Sequence, residues 1–245
     1  MLINLWSTPR TGSNWYARKL YRDYNKQFSN VVCISELFNQ NIYSYYHRNE
    51  DGRIYFLKDY NPGCYFHDYR LQDGRIVEEK VYSLRAKTPE EEEARRIELV
   101  RNTDKNSILI LSNHVSPINP DIFNELKSVA DRNIYLYREN VIDQIASFCV
   151  SFKTKHFISF SDPGTVLRNL NVDTRVVDNI VQRIIAWREL DKTNGEIIEY
   201  SQIDFNEYID EGMPRAQNLD FPAINMLDKE TKDYIFTIVN EKGLT

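Results

Sequence analysis

The feature that most constrains this chain is an alternation of short, nearly all-apolar runs with longer stretches of helical period. The runs are Leu2-Ile3-Asn4-Leu5-Trp6, Val31-Val32-Cys33-Ile34, Ser107-Ile108-Leu109-Ile110-Leu111, Asn133-Ile134-Tyr135-Leu136-Tyr137 and Ile197-Ile198-Glu199-Tyr200. Each is too short for a helix and too evenly apolar for a strand with one wet face. Strands of this kind are buried on both sides, in parallel sheets whose crossovers are helices. The stretches between them supply the helices. Trp15, Tyr16, Leu20 and Tyr24 fall on one helical face, residues 121–130 form a second helix, and a third runs through Cys149. Residues 174–190 carry Val176, Val177, Ile180, Val181, Ile184, Ile185 and Trp187 at helical spacing. Trp187 reads as core. The predicted fold is α/β: a three-layer α/β/α arrangement around a central, mostly parallel sheet, opened by a strand–anion loop–helix unit. With 245 residues the chain suits a single domain, 1–245.

Residues 40–87 break the alternation. They are rich in tyrosine and charge, and Asp51-Gly52-Arg53-Ile54-Tyr55 and Asp73-Gly74-Arg75-Ile76-Val77 each join a turn signal to a strand start. This stretch reads as an insertion of hairpins. Thr88-Pro89-Glu90-Glu91 opens a further helix, with Thr as cap, Pro in the first position and acids at the positive end of the dipole. The tail after 205 matches no pattern.

Composition narrows the function classes. Lys and Arg number 31 against 36 Asp and Glu, a net charge of -5, which argues against a general binder of nucleic acid or membrane surfaces. It leaves room for a local pocket that holds a small anion. The three cysteines, Cys33, Cys64 and Cys149, are far apart in sequence and form no metal-ligand spacing, so reduced thiols in a cytoplasmic protein are expected. No apolar run approaches the roughly 20 residues of a membrane helix. Met1 runs directly into a strand, which predicts no removable leader.

At the carboxyl ends of parallel strands, where such sheets bind ligands, one loop stands out. Ser7-Thr8-Pro9-Arg10-Thr11-Gly12-Ser13-Asn14-Trp15 joins the first strand to a helix. Gly12 permits close backbone approach, the helix start offers free N–H groups, Thr11, Ser13 and Asn14 add short polar side chains, and Arg10 adds a forked cation. These are the parts of a phosphate or sulfate cradle. The loop is no Walker motif, because GxxxxGK[ST] is absent.

Pro9-Arg10-Thr11-Gly12-Ser13-Asn14 resembles the P-[RK]-[ST]-G-[ST] loop of sulfotransferases that use 3′-phosphoadenosine 5′-phosphosulfate (PAPS). Two further landmarks follow in the family's order. Ile134-Tyr135-Leu136-Tyr137-Arg138-Glu139-Asn140-Val141, with Ser147 beyond, resembles the strand–Arg–helix–Ser element that holds the 3′-phosphate. Ile197-Ile198-Glu199-Tyr200-Ser201-Gln202-Ile203 is similar to the strand that places a tyrosine beside the adenine, although Ser201-Gln202 replace an acidic pair. The resemblance implies a PAPS-dependent sulfotransferase whose product is adenosine 3′,5′-bisphosphate and which needs no metal. Arg10, Thr11, Gly12, Ser13, Asn14 and Trp15 would hold the 5′-phosphosulfate, Arg138 and Ser147 the 3′-phosphate, and Tyr200 the adenine.

Sulfuryl transfer needs a base for the acceptor's proton. The resemblance offers Glu36, in Ser35-Glu36-Leu37-Phe38 after the second strand, and His114, in Ser112-Asn113-His114-Val115-Ser116-Pro117. Glu36 can equally cap a helix, and His114 can equally be a strand-end histidine. Arg10, Glu36 and His114 are thus the catalytic candidates. The acceptor, a carbohydrate or other small molecule, would meet the tyrosines of the insertion. A nucleotide-dependent phosphotransferase and a catalytically inactive binding protein of the same fold are the two rivals.

Overall fold

The computed structural model describes residues 1–28, 31–35, 37, 44–46, 53–60, 63–72, 75–83, 88–102, 108–115, 120–154, 168–204 and 223–244. They cluster into two compact units. One comprises Met1–Ser7, Tyr16–Tyr135 and Thr193–Glu196, the other Thr8–Trp15, Leu136–Lys192 and Ile197–Thr245.

The first unit is built on strands β1 (Leu2–Ser7), β2 (Val31–Ser35), β3 (Ser44–Tyr46), β7 (Ile108–His114) and β8 (Arg132–Tyr137), with β4 (Arg53–Tyr60), β5 (Gly63–Gln72) and β6 (Arg75–Ser83) forming a separate sheet. With β9 (Glu196–Glu199), the main sheet has the order β3-β2-β7-β1-β8-β9. Its four central strands are parallel, and β3 runs antiparallel to β2 at one edge. The fold is α/β, and four of the five apolar runs are the central strands; the fifth forms the edge strand β9, where Ile197 is 52% exposed rather than buried on both faces. Ile3, Leu5, Ile110, Leu111 and Ile134 are fully buried there, each contributing about 1.5–3 kcal/mol relative to exposure.

Three polar side chains of these strands bond to one another and to a helix end. The Asn4 amide donates to the Leu126 carbonyl at 2.8 Å, and that of Asn133 to the Lys127 carbonyl at 3.0 Å. Trp6 Nε1 donates to Asn133 Oδ1 at 2.9 Å. Leu126 and Lys127 lie in the last turn of α3 (Pro120–Val129), whose carbonyls have no partner within the helix. The sheet therefore caps the helix packed against it, and Trp6 meets Phe123 edge-on with centroids 4.7 Å apart.

In the second sheet β4 pairs with β5 and β5 with β6, all antiparallel. β4 starts at Arg53 and β6 at Arg75, each directly after an Asp-Gly pair; those two turns lie outside the described residues. α2 (Pro89–Arg101) begins as the sequence predicts, with the Thr88 side chain accepting from the Glu91 N–H at 3.3 Å.

The second unit holds α4 (Val141–Thr154), α5 (Thr174–Glu189) and α6 (Lys229–Glu241) around a core that includes Ile145, Cys149, Val177, Ile180, Leu227, Ile235 and Val239. α6 falls in the tail that sequence left unread. Asp228 caps it by accepting from the Thr231 N–H at 2.9 Å. It buries Thr231, Ile235 and Val239, with Tyr234 and Ile238 partly buried beside them. Trp187 is buried and stacks on Tyr137 at 5.6 Å between centroids, as expected of a core residue. Cys33 and Cys149 are free and buried, and burial pushes each thiol up to about 12. Among the described residues no helix is long and apolar enough to cross a membrane.

Candidate functional site

The loop after β1 is held in shape by three devices. Thr11 is fully buried, and its hydroxyl donates to the Thr8 carbonyl at 2.9 Å, closing the loop on itself. That side chain is thereby committed to the loop, so what it offers an anion is its backbone N–H. Gln144, 2% exposed in the first turns of α4, donates its amide to Thr8 Oγ1 at 2.6 Å and to the Pro9 carbonyl at 2.8 Å. The backbone is left-handed at Arg10 (φ 68°) and at Gly12 (φ 76°), while Thr11 between them is not. Gly12 takes this conformation freely, whereas at Arg10 it costs about 1–2 kcal/mol. Alternating handedness of this kind turns successive N–H groups into one concavity that suits an anion. α1 (Ser13–Asn25) begins immediately afterwards with no acidic residue in its first turn, so no side-chain carboxylate there competes for its positive end. Ser13 and Trp15 are buried in that turn, and the Asn14 side chain lies outside the described residues.

Arg10 connects this loop to α4. Its Nε donates to Ser147 Oγ at 2.9 Å, a bond between residues 137 positions apart. Arg138, at the end of β8, lies over the Tyr200 ring at 4.5 Å from its centroid, a favourable cation–π distance. Its Nη2 is 3.6 Å from Asp143 Oδ2. Asp143 is in turn fixed by Asn140, whose amide donates to Asp143 Oδ2 and whose Oδ1 accepts from the Asp143 N–H, both at 3.0 Å. Tyr200 opens a single 3-10 turn, Tyr200–Gln202, directly after β9.

Arg10, Arg138, Ser147 and Tyr200 thus meet within the second unit, together with the loop Thr8–Trp15. Electrostatics tie them as well. Burial pushes the Arg10 guanidinium down from its usual range, Tyr200 raises it, and Arg138 lowers it again. A buried cation disfavoured by burial and by a second guanidinium is a place where an anion is welcome, since it reverses both penalties.

His114 belongs to the first unit, where it ends β7 in register with Ser7 and is half-buried. Glu36 lies outside the described residues. Two contributors escaped the sequence reading: Gln144, which clamps the loop, and Glu199, which ends β9 and is 8% exposed. The signal for Gln144 was a neutral amide among the apolar residues that open α4. No family model matches this chain, and no curated protein matches it in sequence.

Proposed function

We propose that this chain is a sulfotransferase that moves a sulfuryl group from PAPS to a hydroxyl or amine by in-line displacement. The observation that carries the reading is the convergence of Arg10 and its loop with Arg138, Ser147 and Tyr200 in one unit. A nucleotide phosphorylated at both ribose ends needs that set: two separate anion grips and an aromatic face. The residues present fit the donor. The amides of Thr11 to Asn14 and the Arg10 guanidinium would neutralise charge that builds on the bridging oxygen as the S–O bond breaks, with donors oriented beforehand. Arg138 and Ser147 would hold the 3′-phosphate, so that binding energy far from sulfur positions the sulfuryl group. Tyr200, its ring already covered by Arg138 on one side, would offer its remaining surface to the adenine.

The acceptor's proton would pass to Glu36 or His114. Comparison of Glu36→Gln with His114→Asn separates them: the variant that loses turnover while retaining the bisphosphate identifies the base, and full activity in both removes the two assignments.

The test of the function itself is ligand-dependent melting with adenosine 3′,5′-bisphosphate against ATP with magnesium, followed by turnover across hydroxyl and amine acceptors. A ligand at 100 times its Kd stabilises the folded state by about 2.7 kcal/mol. Stabilisation by the bisphosphate, with sulfate transfer from PAPS, is the expected result. Stabilisation by ATP–magnesium alone refutes the reading in favour of a phosphotransferase. Bisphosphate binding without transfer to any acceptor refutes it in favour of an inactive binding protein.

A further inference from the structure

Glu199 is a carboxylate at 8% exposure, placed between two segments that carry the proposed nucleotide site. Its Oε1 accepts from the backbone N–H of Glu139 at 3.1 Å. Its Oε2 accepts from both the backbone N–H and the hydroxyl of Ser201. Its own N–H donates to Gln202 Oε1 at 2.9 Å, completing a reciprocal cap on the 3-10 turn. Glu139 is the residue after Arg138, and Ser201 is the residue after Tyr200. One side chain therefore joins the turn that presents the cation to the turn that presents the ring.

A carboxylate suits this place for a reason of valence. Ionised, it offers acceptors at both oxygens and no donor, and here each oxygen faces N–H or O–H groups from a different segment. Glutamine has the same shape but only one acceptor atom, so it can serve one segment and must turn its NH2 against a donor of the other. Burial by itself would raise this carboxyl; the bonds from Ser201 and from the backbone of Glu139, Ser201 and Tyr200 outweigh burial and lower it, so it is ionised at neutral pH. Burying a charge for packing alone is unfavourable compared with an apolar replacement. What the charge supplies here is a fixed distance between two short turns.

We propose that Glu199 is a positioning residue that locks Arg138 against Tyr200, so that the adenine and the 3′-phosphate of the nucleotide meet a prebuilt surface. The inference rests on the sulfotransferase reading for its ligand, but the lock itself is a property of the empty protein.

The experiment has two arms. In the first, calorimetry measures adenosine 3′,5′-bisphosphate and adenosine 5′-phosphate on wild type, Glu199→Gln and Ser201→Ala. The ratio of the two affinities reports the grip on the 3′-phosphate. It should fall about tenfold in Glu199→Gln, the loss of one charge-assisted bond, and about threefold in Ser201→Ala, which removes one hydroxyl donor from an exposed position. In an Arg138→Ala background neither change should lower the ratio further. In the second arm, NMR follows the Arg138 side-chain protons without ligand. In wild type the Tyr200 ring shifts them upfield, and the variants should lose part of that shift.

A role in stability alone would lower the melting temperature and leave both the ratio and the ring-current shift at wild-type values, which overturns the proposal. Should Glu199→Gln fail to fold, Ser201→Ala decides by the same two readouts. If wild type does not bind the bisphosphate, the functional reading falls and the nucleotide role with it, while the ring-current arm still decides whether Glu199 sets the stack.

Discussion

Replacing Arg10 by alanine and by glycine separates what its side chain does from what its backbone costs. Arg10 has φ 68°, a left-handed conformation. For a residue with a Cβ this costs about 1–2 kcal/mol, and for glycine nothing. Glycine also gives the unfolded chain extra freedom, worth about 0.4–1 kcal/mol against it. Both variants lose the same side chain and the same bond to Ser147, so these terms cancel between them. The difference leaves Arg10→Gly more stable than Arg10→Ala by up to about 1.6 kcal/mol, with a central value of about 0.8 kcal/mol, whereas at a position of negative φ alanine is the better residue. Urea unfolding of the two variants reads this difference. Calorimetric titration of the same samples reads the function: loss of a charge-assisted contact of about 1.5–3 kcal/mol weakens the bisphosphate about 10- to 150-fold in both. An alanine variant at least as stable as the glycine variant refutes the strained loop. Wild-type affinity in either variant refutes the role of Arg10.

Gln144→Leu keeps the volume but leaves Thr8 Oγ1 and the Pro9 carbonyl without the bonds they receive at 2.6 and 2.8 Å. It should cost about 2–4 kcal/mol in urea unfolding and weaken the bisphosphate; an unchanged midpoint contradicts the clamp. Gly195→Ala would drive a Cβ into Cε2 of the fully buried Tyr135 ring. A loss of about 1–3 kcal/mol is expected from that overlap, and a neutral effect would show that the ring is free to move. Cys33 and Cys149, whose thiols burial pushes up to about 12, remain protonated through the neutral range. Iodoacetamide at pH 8 should therefore leave both unmodified in the folded protein and alkylate both in urea, as read by peptide mass; rapid native labelling of either would contradict its burial.

In the main sheet β1, β7 and β8 were legible because they are buried on both faces. They are almost continuous apolar runs, and two of their polar exceptions, Asn4 and Asn133, are explained by the end of α3, whose carbonyls accept their amides. The starts of β4 and β6 were legible for a local reason, an Asp-Gly pair ahead of an alternating stretch. α6 was not, because its fully buried residues, Thr231, Ile235 and Val239, include a hydroxyl, and Tyr234 and Ile238 beside them are only partly buried. In the candidate site, the loop after β1 announced itself through Gly12, whose residue type carries its left-handed conformation, and through the cation of Arg10. Gln144 and Glu199 were silent for the opposite reason. Gln144 acts through bonds to Thr8 and Pro9, more than a hundred positions away, and Glu199 joins its local cap to the Glu139 N–H sixty positions back, so neither partner set can be read from the neighbouring sequence. The left-handed φ at Arg10 was equally silent, since a non-glycine residue enters that region only when its surroundings force it.

The most direct measurement of the central claim is a crystal structure with adenosine 3′,5′-bisphosphate bound. The account predicts the 5′-phosphate on the backbone from Thr11 to Asn14 beside Arg10, the 3′-phosphate on Arg138 and Ser147, and the base against Tyr200. A nucleotide seated elsewhere, or one that touches the loop while Arg138 and Ser147 keep their partners undisturbed, would contradict it.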